Sequence, residues 1–261
     1  MRVFVSIAPE RWLVEQLGGE LVETRVLLDK GQEPHTYQPT PENLTALFRS
    51  RLYFTVGMEF EREIQRKIES NAGVRVIDVT VGIKKIPMVR HDHKHDHKHD
   101  RDQHEEAGHR NSNLDPHVWL DPRNLQKMAS IMAMEMAAAD SKNTAVYQRN
   151  LQRVNEKLIR LHQDVRHQLA PFKGTSFFVF HPAFGYFAHA YGLRQEPVEI
   201  EGKSPTPKQL YALVRRAKAD QVKVLFVQPQ FDRKNARAVA QAVGGKLAEL
   251  DPLAKDPTRN L

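Results

Sequence analysis

Between Asp140-Ser141 and Pro171 a single apolar stripe runs without interruption. Leu151, Val154, Leu158, Leu161, Val165 and Leu169 recur at steps of three and four, the spacing of one face of an α-helix. Such a helix takes about 27 residues and reaches roughly 40 Å at 1.5 Å per residue. An element of that length makes a stiff connector between two lobes.

Both flanks of the connector alternate between strand-like and helical patterns. Residues 3–7, 24–28, 52–56 and 74–79 read as strands, with helical patterns at 10–18, 41–50 and 60–71 between them. Beyond the connector, 176–180, 196–200, 222–227 and 246–250 read as strands. Alternation of this kind predicts parallel sheets with helices on their faces. The fold class is α/β, with two α/β lobes of mainly parallel sheet joined by a long rigid linker helix. Divided by zone, residues 1–121 form the first lobe, 122–170 a helical segment and 171–261 the second lobe. Asp121-Pro122 supplies an N-cap and a first-turn proline for the helical segment. Met128, Ile131, Met132 and Met136 follow at helical spacing, a stripe that reads as core. Thr206-Pro207-Lys208-Gln209 is a capping box opening a helix through residue 217, and Gly244-Gly245 closes another over 234–243. A closing helix is expected after the last strand, which would leave the C-terminus incomplete.

The stretch HDHKHDHKHDRDQHEEAGH, within residues 90–110, gathers more than half of the thirteen histidines: His91, His93, His95, His97, His99, His104 and His109. Imidazole is the commonest side-chain metal ligand, and carboxylates beside it add oxygen donors. No packed core absorbs so many ionisable groups, so a solvated loop is expected. The composition reads as metal binding.

Other classes recede. No cysteine is present, so disulfides, thiol catalysis and thiolate metal sites are excluded, and a metal must be held by His, Asp, Glu or water. No apolar run approaches a membrane span. The net charge of +7 comes from Lys and Arg scattered among acids, without an aromatic-interleaved basic patch, and nucleic acid is not expected as a partner. Residues 1–2 lead straight into the first strand pattern, without the features of a signal peptide. The chain therefore reads as cytosolic or as a mature form with an added Met.

Three histidines stand apart from the tract. His181 follows the apolar run 176–180 and so caps the carboxyl end of a buried strand, which in open α/β sheets faces the ligand crevice. His35 lies in the loop after the strand ending near Leu28, and His117 in Asp115-Pro116-His117-Val118-Trp119. Asp251 follows its strand as His181 follows its own. Together the four would give two ligands from each lobe across a cleft, and three imidazoles with a carboxylate satisfy tetrahedral zinc. Taken singly, each histidine could instead be a loop residue bonded to local backbone. His162, His167 and His189 read as surface or local packing. A zinc hydrolase would also use three histidines and a water, but no HExxH, nucleophile elbow or paired acid–base carboxylates accompany them.

Val5-Ser6-Ile7-Ala8-Pro9, the run Pro34-His35-Thr36-Tyr37-Gln38-Pro39-Thr40-Pro41, Asp115-Pro116-His117-Val118-Trp119-Leu120-Asp121-Pro122 and His181-Pro182-Ala183-Phe184-Gly185-Tyr186-Phe187 strongly resemble the ZnuA-like zinc-binding proteins. These are extracytoplasmic solute receptors of metal ABC importers. The resemblance covers essentially the whole chain. It implies two lobes joined by a long helix, with Zn²⁺ held between them as transported ligand. It assigns ligation to His35, His117 and His181, makes Asp251 or a water the fourth ligand, and gives the His-rich loop a secondary, collecting or sensing role. It further implies an ABC permease as partner, a monomeric receptor, no enzymatic activity, and a periplasmic or cell-surface location. Related manganese receptors usually carry Glu where His181 stands, and imidazole, the softer donor, favours zinc. A manganese or iron receptor of the same fold is the alternative. Some zinc members place an acid before the first ligand histidine, where this chain has Pro34, and some carry a second-lobe disulfide that cannot form here.

Overall fold

The computed structural model describes residues 1–29, 31–34, 36–69, 73–88, 114–199, 206–220, 222, 224–231 and 233–259. The histidines of the 90–110 tract and His35 lie outside them. Two four-stranded, wholly parallel sheets organise the fold. The first joins β1 (Arg2–Val5), β2 (Glu23–Val26), β3 (Leu52–Thr55) and β4 (Arg75–Asp78) in the order β2-β1-β3-β4. The second joins β5 (Ser176–Val179), β6 (Arg194–Pro197), β7 (Val224–Val227) and β8 (Lys246–Glu249) in the order β6-β5-β7-β8. In each, the chain turns one way from the first strand and the opposite way for the third. That reversal opens a crevice at the carboxyl ends of β1 and β3, and of β5 and β7.

Helices α1 (Ala8–Gly18), α2 (Pro41–Phe48) and α3 (Glu61–Glu69) connect the first sheet, and α6 (Gly185–Tyr191), α7 (Pro207–Ala219) and α8 (Arg233–Val243) the second. Between them run α4 (Pro122–Ala139) and α5 (Thr144–Leu169). Asp121 caps α4 by accepting the Arg123 N–H at 2.9 Å, and Met128, Met132 and Met136 are fully buried, as core residues should be. The α5 helix is 26 residues long, about 39 Å, and it buries Tyr147, Val154, Leu158 and Val165. It packs on α4 and α1, so its first half is fixed to the first lobe. The main core then continues through Trp119 and Leu120 into Ala183, Phe184 and Tyr186 of the second lobe. A separate cluster, including Phe178, Leu213, Leu225 and Val239, fills the far face of the second sheet.

All eight expected strands are present. The largest shift is in β6, which runs over Arg194–Pro197 rather than 196–200. Its ladder with β5 ends at Val179↔Pro197, and Glu199 leaves the sheet to bond a side chain. After β8 the described chain holds only a short 3₁₀ turn, Pro257–Arg259.

At the crevice of the first sheet two glutamates cap the strand-to-helix turns from inside. Glu10 Oε2 accepts the N–H groups of Ser6 and Ile7 at 2.9 and 3.1 Å. Glu61 accepts those of Val56, Gly57 and Met58 at 3.0, 2.7 and 2.9 Å. Three such bonds favour the anion, but burial outweighs them and pushes Glu61 from 4.5 up to about 7. Burial, reinforced by the neighbouring Glu61, raises Glu10 as well. A carboxyl raised in the fold stabilises it fully below its unfolded value, and that contribution is lost as pH rises towards about 7. Replacing Glu61 with Gln therefore removes the loss. In urea unfolding of metal-free protein, the midpoint of Glu61→Gln should rise relative to wild type between about pH 5 and about pH 8.

Candidate metal centre

His181 stands two residues past β5, at the reversal point between β5 and β7, and every part of it is held. Its N–H donates to Gln228 Oε1 at 3.0 Å, and its carbonyl accepts Gln228 Nε2 at 2.8 Å. Gln228 is the first residue after β7 and fully buried. The imidazole stacks on Phe231, with centroids 4.9 Å apart and planes 19° apart. Its Nδ1 lies 2.5 Å from Glu199 Oε1, the residue that leaves the β6 ladder.

His117 is held by a local version of the same device. Asp115, two residues earlier, accepts the His117 backbone N–H at 2.9 Å and reaches Nδ1 at 2.7 Å. A 3₁₀ turn, Val118–Leu120, follows and places Trp119 in the core, its indole donating to the Pro252 carbonyl at 2.7 Å. That bond ties the His117 segment to the second lobe. A carboxylate only accepts hydrogen bonds, so each Nδ1 carries a proton and its acid fixes the orientation of the ring.

The two rings meet across the lobes. Their centroids are 5.4 Å apart at 70°, and both side chains are nearly fully buried, at 5% exposure each. Two imidazoles on one tetrahedral ion, each with a metal–nitrogen bond near 2.0–2.1 Å, would place their centroids about 5 Å apart. The pair fits a shared ion. The small cavity beside them is lined by Pro34, Met58, Gln230, Phe231, Pro252 and Leu253 as well as both histidines. Apolar walls of this kind keep bulk water from the two rings.

Asp251 is placed differently. Its Oδ1 accepts Gln230 Nε2 at 2.8 Å and the Leu253 N–H at 3.0 Å, and it does not line the cavity. Among the described residues no three His, Asp or Glu side chains form a metal-holding group. His35 is outside the described residues, although its neighbour Pro34 reaches the cavity. His162 Nδ1 lies 3.2 Å from the Tyr191 hydroxyl, and His167 and His189 are exposed.

Tyr186 binds the two lobes at this point. Its hydroxyl accepts the Ile86 N–H at 3.2 Å and donates to the Asp115 carbonyl at 3.1 Å. The Asp115 N–H in turn donates to Ile86 O at 2.9 Å, and Pro87 and Leu114 form an antiparallel bridge. The described residues flanking 89–113 are thus joined beside the residue that orients His117. Lys85 contributes positive charge near Asp115, Asp78 and Glu61, although partial burial lowers its pKa against their pull.

Asp115, Glu199, Gln228, Gln230, Phe231 and Tyr186 were not singled out from sequence as site residues. Asp115 could have been, since an acid two residues before a ligand histidine can reach its Nδ1. Glu199 and Gln228 lie 18 and 47 residues from His181, and only strand order brings them near.

The family model for zinc-uptake complex component A periplasmic (ZnuA) matches residues 3–260. A solved structure described as the crystal structure of ZnuA superposes with a TM-score of 0.87 at 34% identity, covering 100% of this chain and 94% of that one. The high-affinity zinc uptake system protein ZnuA of Brucella abortus (strain 2308) is 26% identical over 97% of this chain and 84% of its own. The manganese-binding lipoprotein MntA of Halalkalibacterium halodurans is 23% identical over 90% of this chain and 73% of its own.

Gly185 supplies a test of the centre's packing. A Cβ there would meet Asp115 Oδ2 at 2.5 Å and Ile86 Cδ1 at 3.4 Å. Gly185→Ala should push Asp115 away from His117 and destabilise the metal-free protein by about 1–3 kcal/mol, read as a lowered thermal midpoint.

Proposed function

This chain belongs to the ZnuA family of zinc-uptake receptors, and on that premise we propose that it captures Zn²⁺ between its lobes and delivers it to an ABC permease. Receptors of this family bind metal for ABC importers and are solute-binding proteins rather than enzymes. The observation that carries the zinc reading is the buried pair His117–His181, each ring oriented through Nδ1 by its own carboxylate and the two rings in contact with each other. Imidazole donors suit zinc better than manganese, which prefers oxygen. The manganese-binding relative keeps a manganese receptor of the same fold as the second reading.

His35 is the proposed third ligand, and Asp251, whose Oδ1 accepts Gln230 Nε2 at 2.8 Å, or a water is the proposed fourth. The histidines of the 90–110 tract form a secondary zinc-collecting or sensing element. In this reading residues 1–121 and 171–261 act as the two lobes, with 122–170 as the spacer between them. No helix among the described residues is long and apolar enough to cross a membrane. The receptor works outside the cytoplasm, as a monomer, at the outer face of its permease.

Zinc calorimetry on the intact chain and on a version lacking residues 90–110 tests the division of labour. One tight site should survive the deletion, and only weak sites should be lost. Disappearance of tight binding with the tract would instead make the chain a His-rich zinc buffer. His117→Ala and His181→Ala should abolish the tight site. Asp115→Asn and Glu199→Gln, which leave the ligands in place but loosen their orientation, should weaken it by roughly 10–100-fold. Affinity should also fall as pH drops through the histidine range, because protons compete for each imidazole. Zinc retained well below about pH 5 would oppose a histidine-based site.

A further inference from the structure

We propose that Glu61 is a positioning residue for metal capture, because its carboxylate holds Met58 in the wall of the cavity beside His117 and His181. The inference rests on the zinc-receptor reading and adds to it a residue outside the ligand set. Met58 borders the cavity together with both histidines. It reaches that wall from the turn that follows β3, and it is buried in the main core.

Glu61 holds both backbone groups of Met58. The Met58 N–H donates to Oε2 at 2.9 Å, and the Glu61 N–H donates to the Met58 carbonyl at 3.1 Å. The same carboxylate accepts the Gly57 N–H at 2.7 Å and the Val56 N–H at 3.0 Å. Gly57 sits at φ 91°, a conformation that glycine adopts freely but leaves as freely. The turn therefore owes its fixed shape to the side chain that gathers its three N–H groups.

This arrangement belongs to the ionised carboxyl. Both oxygens act as acceptors, and the Ser6 hydroxyl bonds the group as well. A proton turns one acceptor into a donor and weakens all three backbone bonds together, because charge-assisted hydrogen bonds are roughly twice as strong as neutral ones. Protonation thus loosens the turn and, with it, the placement of Met58.

The surroundings keep the two forms close in free energy near neutral pH. Burial favours the neutral acid and the backbone bonds favour the anion, which together leave Glu61 at about 7. Glu10 faces it from α1, and Asp78 at the end of β4 adds negative charge beside Glu10. Tyr53 lies on β3 with its hydroxyl 2.8 Å from Ser6 Oγ, and Lys85 brings positive charge from the chain after β4. If the cavity wall closes around zinc in its capped form, capture selects ionised Glu61 and releases a proton that the histidines do not account for.

The test is zinc calorimetry on the full chain in buffers of different ionisation enthalpy, which counts the protons released. At about pH 7 wild type should release about half a proton more per zinc than Glu61→Gln. At about pH 8.5 the two counts should agree, because Glu61 is then ionised before zinc arrives. Glu61→Gln should bind zinc about 10-fold more weakly at about pH 8.5, and the gap should narrow below about pH 6, where position 61 is uncharged in both proteins. Met58→Ala keeps Glu61 but removes the wall, so it should also lose the extra proton, and adding Glu61→Gln to it should cost less affinity than Glu61→Gln alone. Equal proton counts at about pH 7 overturn the assignment. So does an affinity gap that is the same at both pH values, which is what a merely structural role would give, or a full effect of Glu61→Gln in the Met58→Ala background. His117→Ala separates the two levels. Unchanged zinc affinity in that variant defeats the cleft reading itself, whereas lost affinity alongside equal proton counts for wild type and Glu61→Gln defeats only the role of Glu61.

Discussion

A carboxylate on the Nδ1 of each buried histidine is the interaction around which the centre is built. Asp115 and Glu199 each fix one ring and one tautomer through its Nδ1. Both acids are nearly fully buried, and Asp115 Oδ2 and Glu199 Oε2 have no hydrogen-bond partner. Taking such groups out of water is expensive unless opposite charge comes close. A divalent cation bound to the two imidazoles would bring two positive charges beside two negative ones. The arrangement is electrostatically incomplete without a cation and balanced with one, which is the property a cation receptor needs.

The rest of the fold keeps those two carboxylates in place. Strand reversal in the second sheet brings Gln228 and Glu199 to His181 from either side of β5. The first lobe has no equivalent reach to His117, so a local Asp-Pro-His segment does the work there. Trp119 and Tyr186 then fasten that segment to the second lobe, one through Pro252 and the other through the Asp115 carbonyl. The long α5 helix sets the spacing of the lobes, while these two hydrogen bonds set the registration of the rings.

Much of this was legible in the sequence because the signals were periodic or local. The stripe from Leu151 to Leu169 gave the long helix, the apolar runs gave eight strands, and Asp121-Pro122 gave the start of α4. His181 was visible because it ends an apolar run, and His117 because prolines and a tryptophan frame it. The illegible part depends on strand order. Glu199 looked like the fourth residue of a strand, and nothing local distinguishes it from Glu196, which stays in the β6 ladder and pairs with Arg216 at 2.6 Å. Gln228 and Gln230 read as ordinary polar residues after a strand. Their roles appear only when β7 is placed beside β5 and β8. Asp251 does stand at the end of β8 as read, and its carboxylate accepts from Gln230 Nε2 and the Leu253 N–H.

The Trp119 indole finds its acceptor 133 residues further along the chain, and the Tyr186 hydroxyl bridges residues 71 and 100 positions before it. Such separations belong to contacts that form late, because the loop-closure entropy must be overcome before they are rewarded. During synthesis, His117 and its Asp115 emerge long before the residues that pin them. The first lobe can close its own core around α1, α4 and α5 while the centre is still half built. The centre cannot be complete until the strands of the second sheet have taken their order. A mutation in β7 or β8 that slows that ordering would leave a well-packed first lobe presenting a histidine with no partner across the cleft.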